Sequence, residues 1–151
     1  MHRSIWFILI FVLASCTTLE QWQMGYSQEQ DSMANANVEY VRAVHNGENL
    51  WTFHVTVRHP DTGWDDYADG WDVVLPDGSV VLPDPNSSFT RLLLHPHETE
   101  QPFTRSQNNI LIPASITTVI VRAHDLVDGF GGQEVMVDLT VGSGENFEVQ
   151  R

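Results

Sequence analysis

His95 and His97 flank Pro96 and could present two imidazole rings to a metal ion. Residues i and i+2 of an extended segment point to the same side, about 6.6 Å apart at 3.3 Å per residue. Proline between them favours that extended shape. Such a pair of imidazoles suits copper or zinc, although a third ligand is needed. The alternative is a pair of exposed histidines beside carboxylates such as Glu98 and Glu100.

His124 is the candidate third ligand. If the short segments 80–82 and 110–112 each form a strand that crosses the fold, the strand that ends near His95 and the strand that ends at His124 run in the same direction. His124 would then share one end of the fold with His95 and His97, and His59 would lie at the opposite end. The sequence therefore favours strand-end histidines that bind no metal, with a copper or zinc site at His95, His97 and His124 as the alternative.

The loop at residues 60–70 combines carboxylates with aromatic rings. Its candidate binding residues are Asp61, Trp64, Asp65, Asp66, Tyr67 and Asp69. Oxygen ligands on a turn suit calcium, but the EF-hand spacing is absent, and a solvated acidic loop is the alternative. Exposed aromatic rings stack on sugars or contact a protein, so we predict a loop that binds an unknown protein or carbohydrate partner. The alternative is that these aromatic rings pack beneath the loop.

Arg105 is a candidate for contact with an anionic ligand, and an internal ion pair is the alternative in a chain with 20 acidic residues. No glycine-rich phosphate loop leads from a strand into a helix, and no Ser/His/Asp order is recognisable. Nothing selects a carboxylate pair for glycoside cleavage. We therefore predict a non-catalytic protein.

The chain carries a net charge of −13 over 151 residues, with 7 basic residues, all arginine. This charge disfavours nucleic acid as a partner, because such binding needs a basic surface. Cys16 is the only cysteine, so no disulfide can form within the chain. The length after an N-terminal signal is enough for one domain with a sizeable core.

The N-terminus has the pattern of a secretory signal. Arg3 supplies a charge, residues 4–13 are almost entirely apolar, and Ala14 and Ser15 precede Cys16. The apolar run is well short of the roughly 20 residues that a spanning helix needs. Plain secretion with Cys16 as a free thiol is a further alternative.

The ending Leu13-Ala14-Ser15-Cys16 resembles the lipobox of bacterial lipoproteins. The resemblance implies cleavage before Cys16, lipid on its thiol, and anchoring of the chain to a membrane of the cell envelope, facing the periplasm. Thr17 follows the cysteine where lipoproteins retained on the inner membrane tend to have Asp, so the outer membrane is favoured.

The pattern of the chain predicts four regions: a signal peptide at 1–15, a lipidated cysteine and flexible tether at 16–37, a β-domain at 38–141, and a C-terminal tail at 142–151. Residues 50–59 alternate apolar and polar side chains and form the clearest strand. Seven or eight short strands without a helical period predict a single antiparallel β-sandwich.

A second resemblance supports this fold. The segment Leu111-Ile112-Pro113, the strand Val119-Ile120-Val121-Arg122-Ala123 and the glycines after it are similar to the end of a fibronectin type III domain. The resemblance covers about twenty residues and departs from the family at Thr117, where a tyrosine is expected. It implies an immunoglobulin-like or fibronectin-like sandwich, a fold that carries no activity of its own.

Overall fold

The structure is a computed structural model that describes residues 34–151. The predicted signal peptide, the lipidated Cys16 and most of the predicted tether lie outside the described residues. Within the described part of the chain, no helix has the length and apolar character needed to cross a bilayer.

The described residues are nearly all β, which confirms the predicted fold class. The strands are β1 (Asn37–Gly47), β2 (Leu50–Arg58), β3 (Ala68–Val74), β4 (Arg91–Leu92), β5 (Phe103–Leu111), β6 (Thr118–Asp125), β7 (Gly129–Phe130), β8 (Val135–Asp138), β9 (Ser143–Gly144) and β10 (Phe147–Gln150). One sheet has the order β5-β2-β1-β10-β9, and the other has the order β4-β3-β6-β7, with β8 also paired to β6.

Alternating side chains determine which faces of the strands meet in the core. In β2, Trp51, Phe53, Val55 and Val57 are buried, whereas the residues between them reach the surface. Val119, Val121 and Ala123 of β6 alternate in the same way from the other sheet. Each of the valine and phenylalanine side chains contributes about 1.5–3 kcal/mol when it is fully buried. Trp71 of β3 also enters the core, and it is fully buried.

The sandwich extends beyond both predicted limits of the β-domain. Residues 142–151, predicted as a tail, contain β9 and β10. Phe147 and Val149 are spaced by two residues, so both point into the core from β10. β10 pairs with β1 in parallel, which departs from the predicted all-antiparallel pairing. At the other limit, Ala36 is buried and its amide donates to the Asp125 carboxylate.

The predicted strand at Val80–Leu82 does not cross the fold, and this reverses the direction expected for the strands after it. The structure has only an isolated bridge between Val74 and Val80, and Pro83 then starts a loop. The predicted segment 110–112 does belong to a crossing strand, because its first two residues end the longer β5. With one crossing fewer, β2, β4 and β6 all run towards the same end of the sandwich. We call this end, where β2 finishes and β3 begins, the histidine end.

Candidate functional site

The histidine end holds His59, His95, His97 and His124. His59 directly follows β2, His95 and His97 follow β4, and His124 lies one residue before the end of β6. The prediction that His59 lies at the opposite end is wrong, since it counted Val80–Leu82 as a crossing strand. His59 is instead linked to His97 through a shared carboxylate.

That carboxylate belongs to Asp61, which is buried. Its Oδ1 lies 2.7 Å from His59 Nδ1 and accepts the Ala68 amide at 3.1 Å. Its Oδ2 accepts the His97 amide at 2.6 Å. Asp61 therefore joins the end of β2, the start of β3 and the segment after β4. These contacts make Asp61 a structural link between the segments of the site.

His59 is 1% exposed, and its second ring nitrogen, Nε2, is buried without a hydrogen-bond partner. Asp66 Oδ1 lies 3.6 Å from this nitrogen and is also buried without a partner. Asp125 completes the group, and the candidate ligand atoms of the three residues lie within 4.8 Å of one another. Reasoning from the sequence did not find this group. The pair His59 and Asp61, two residues apart at a strand end, was its one local signal.

The rings of the predicted pair of histidines pack against each other. The rings of His95 and His97 lie with their centroids 4.4 Å apart, and His97 stacks on Phe103 at 3.8 Å. His95 Nδ1 donates to the Pro96 carbonyl oxygen at 3.0 Å. Burial, with smaller contributions from the charges of Arg105 and His95, lowers the pKa of His97. His97 is therefore a neutral ring within a stack at pH 7.

His124 has partners of its own. Its Nδ1 lies 2.6 Å from Asp69 Oδ1, and its ring contacts Phe89 and Phe130. Within residues 34–151, the cluster able to hold a metal ion contains His59, Asp66 and Asp125 and does not include the three predicted histidines. The predicted His95, His97 and His124 set shares one end of the fold but does not form that cluster.

The predicted binding loop presents a partly apolar surface at the same end. Trp64 is 67% exposed and meets Tyr67 edge to face, with ring centroids 5.9 Å apart. The Tyr67 carbonyl accepts the Leu126 amide at 3.1 Å, and the side chains of Leu126 and Val127 are exposed. We call Trp64, Tyr67, Leu126 and Val127 the Trp64 surface. Asp65 is exposed in the same loop.

The remaining candidates have internal partners. Arg105 donates from Nη2 to Glu100 Oε2 at 3.1 Å, and its guanidinium lies 5.4 Å from the centre of the Phe103 ring. This is the internal ion pair that the sequence offered as the alternative to an anionic ligand. Asp72, a further acidic residue of this region, is buried and pairs with Arg122.

A comparison with curated proteins finds a relative in an archaeon. A protein of Halomicrobium mukohataei, named "Putative lipoprotein", is 40% identical over 111 residues, which are 74% of this chain. The similarity supports a lipoprotein. The chain spans about half the length of this relative, 51%. No protein-family model matches the chain, and no solved structure matches it. The immunoglobulin-like or fibronectin-like character of the sandwich therefore stays a prediction.

The archaeal source of the relative bears on localisation. The similarity supports a membrane-anchored protein of the cell envelope. It does not support the bacterial outer membrane or the periplasm, which the resemblance to bacterial lipoproteins implied.

Proposed function

We propose that this chain is a cell-envelope lipoprotein, anchored by lipid on Cys16, whose β-sandwich is a non-catalytic binding module. The Leu13-Ala14-Ser15-Cys16 ending and the name of the archaeal relative support the anchor. In a bacterial host, Thr17 favours the outer membrane and a domain facing the periplasm. Several buried acyl chains hold a protein on a bilayer because each CH₂ contributes about 0.8 kcal/mol.

The observation that carries the binding role is the exposure of Trp64. A tryptophan in a loop that is 67% exposed leaves a large apolar ring in water. Tyr67 supports it edge to face, and the Leu126 amide donates to the Tyr67 carbonyl, so the β6–β7 turn with Leu126 and Val127 lies beside Tyr67. Contiguous exposed apolar side chains mark interaction sites, and tryptophan is enriched among the residues that dominate binding energy.

The composition of the Trp64 surface favours a protein partner over a carbohydrate. Sugars stack on flat aromatic rings, whereas the aliphatic side chains of Leu126 and Val127 fill apolar depressions on a protein. The neighbouring carboxylates of Asp65 and Asp128 favour a partner with a basic rim. Nucleic acid is disfavoured by the net charge of −13.

A photo-crosslinking amino acid at position 64 tests the binding role in cells. We expect a discrete protein adduct at this position, and none from the same amino acid at position 115. Ser115 is a suitable control because it is exposed and precedes β6, at the end opposite to Trp64. No adduct at 64, or equal adducts at both positions, would contradict the proposal. A glycan-array signal lost in Trp64→Ala would instead assign a carbohydrate.

The anchor is tested separately by mass spectrometry of the N-terminal peptide, which does not depend on the chemistry of the lipid. We expect a lipid adduct on Cys16 and partition of the wild type into the detergent phase. Cys16→Ser should lack both properties. An unmodified Cys16 thiol at the N-terminal end of the wild-type chain would contradict a lipoprotein and leave the binding role to be judged on its own test.

A further inference from the structure

We infer that His59, Asp66 and Asp125 form a binding site for a divalent transition-metal cation of the zinc class. The site lies at the histidine end, beneath the loop that carries Trp64. It uses none of the three histidines that the sequence predicted as ligands. It goes beyond the binding role proposed above, because it requires no partner protein.

The spacing of the ligand atoms fits one small cation. Zinc bonds of about 2.0–2.2 Å in a tetrahedron place neighbouring ligand atoms roughly 3.4 Å apart. His59 Nε2 and Asp66 Oδ1 are 3.6 Å apart, close to that value. All three groups lie within 4.8 Å of one another, so a shift of about 1 Å by one carboxylate would bring three ligands onto the ion. A fourth position is left for water or for a group from a partner.

The hydrogen bond to Asp61 fixes which nitrogen of His59 faces the site. Asp61 Oδ1 accepts the proton on His59 Nδ1 at 2.7 Å, so Nε2 of the neutral ring carries a lone pair. A carboxylate behind a metal-binding histidine is the usual arrangement, and it sets both the tautomer and the orientation of the ring. His59 Nε2, Asp66 and Asp125 then converge as three acceptors with no donor among them. A cation bound between these three acceptors offsets the repulsion among them.

Asp125 is held in place by backbone amides. Its Oδ1 accepts from Val127 and Asp128 at 3.1 and 2.6 Å, and its Oδ2 accepts from Ala36 at 3.2 Å. Oδ1 thus accepts two bonds and Oδ2 one, so these bonds position Asp125 and leave Oδ2 a free lone pair. His59 and Asp125 are thus rigid and buried, and they form the fixed half of the site.

Asp66 is the ligand whose side chain can move, and a metal ion enters the site past it. It lies in the loop before β3, and its side chain is 36% exposed although Oδ1 itself is buried. The loop is closed by a hydrogen bond from the Thr62 amide to the Asp66 carbonyl at 3.0 Å. A small movement of this side chain admits an ion from solvent and then covers it.

The donor set selects the class of metal. One imidazole and two carboxylates neutralise a doubly charged ion, which a buried cation requires. Calcium prefers six to eight oxygen ligands, which three residues with a nitrogen donor do not supply. Zinc accepts imidazole nitrogen and carboxylate oxygen in a four-coordinate site. Copper(II) binds the same donors more tightly in the usual order, so it competes for the site.

The competing explanation is an imidazolium. If His59 carried protons on both ring nitrogens, it would bridge Asp61 and Asp66 as an ion pair and repel a metal ion. The separation of 3.6 Å between Nε2 and Asp66 Oδ1 is too long for a hydrogen bond of this kind, which favours the metal. The two explanations predict opposite results in one titration.

The test is calorimetric titration of the full chain in detergent with zinc chloride, after metal has been removed with a chelator. We expect one zinc ion per chain at micromolar concentration or below. Asp66→Asn should weaken binding by more than about 100-fold, beyond the 10- to 100-fold typical of losing an outer-shell partner. Asp65→Asn removes the same charge from the same loop and should bind normally. His95→Ala should also bind normally.

Absence of stoichiometric uptake by the wild type at 100 µM zinc would overturn the inference, as would normal binding by Asp66→Asn. Asp66 is partly exposed, so this variant should keep the fold, which circular dichroism can verify. Nitrogen NMR of metal-free wild type gives a second readout. A single protonated ring nitrogen on His59, with the Nε2 signal shifted by zinc, is expected. Protons on both nitrogens at pH 7.5, unchanged by zinc, would overturn the inference in favour of the imidazolium.

Discussion

His59 Nδ1 lies 2.7 Å from Asp61 Oδ1, and both side chains are almost completely buried. The bond joins residues only two apart in the chain, yet it orders three distant segments because Asp61 also accepts the amides of Ala68 and His97. The same bond orients the free nitrogen of His59 towards Asp66 and Asp125. Stability and ligand chemistry at the histidine end therefore depend on one carboxylate.

Asp61→Ala should lower the free energy of unfolding by about 3 kcal/mol or more. The change leaves the Ala68 and His97 amides and His59 Nδ1 buried without an acceptor, and each orphaned group costs about 1–3 kcal/mol. Denaturation in urea measures the loss. Asp65→Ala is the matched control, because this neighbouring aspartate is exposed and should change stability by no more than about 0.5 kcal/mol. Equal effects of the two substitutions would contradict the role given to Asp61.

The sequence was sufficient for the parts of the fold that local alternation determines. The burial of Trp51, Phe53, Val55 and Val57 follows from period-two spacing, and so does the strand at β6. Pairing between distant strands was not predictable in this way. The parallel pairing of β10 with β1 depends on the packing of Phe147 and Val149 in the core. The pattern of this short segment after a glycine-rich turn does not predict that pairing.

The position of His59 was mispredicted for a related reason. The sequence identified the histidines that lie at strand ends. Which end of the sandwich each histidine occupies depended on the number of strands that cross the fold before it. Val80–Leu82 has strand-like composition and makes only one bridge, so the count was one too many and His59 was assigned to the opposite end. The carboxylates of Asp61 and Asp66 were visible in the loop. Their roles depended on burial, which the sequence does not give.

Gly70→Ala should destabilise the sandwich by about 1–3 kcal/mol, the usual cost of overpacking a core. A Cβ at Gly70 would come within 2.3 Å of the Phe89 ring, which packs against His124 and Phe130. The ring cannot retreat without disturbing both neighbours. Gly142→Ala is the control, since nothing lies within 4 Å of its added Cβ and its backbone needs no positive φ. Thermal unfolding that ranks Gly142→Ala as the more damaging change would contradict this packing.

The free energy of unfolding should fall as the pH is lowered through about 6.5. Burial lowers the pKa of His97 below its ordinary value of 6.5, and it also lowers the pKa of His54. In this range the unfolded chain binds more protons than the folded chain, so acid favours unfolding and stability is complete only above about pH 6.5. Urea denaturation at pH 7.5 and 5.5, with chelator in both buffers, measures the loss. His97→Leu should reduce it, and an unchanged pH dependence in that variant would contradict the assignment.

Salt should stabilise the protein. The chain carries 20 acidic and 7 basic residues, and repulsion among the excess carboxylates opposes the compact state. At 1 M salt the screening length shrinks to about 3 Å, which removes most of this repulsion. We expect the melting temperature to rise between 0.05 and 1 M NaCl. A variant combining Glu98→Gln, Glu134→Gln and Glu145→Gln, all exposed positions, should show a smaller rise. A melting temperature independent of salt would contradict the prediction.

Anomalous X-ray scattering at the zinc absorption edge, from crystals of the protein grown with zinc, tests most directly whether the histidine end is a metal centre. We predict one strong peak between His59 Nε2, Asp66 and Asp125, within about 2.2 Å of each ligand atom. A peak beside His95, His97 or His124 would contradict the assignment of the ligands. Absence of any peak among His59, Asp66 and Asp125 would contradict the site itself.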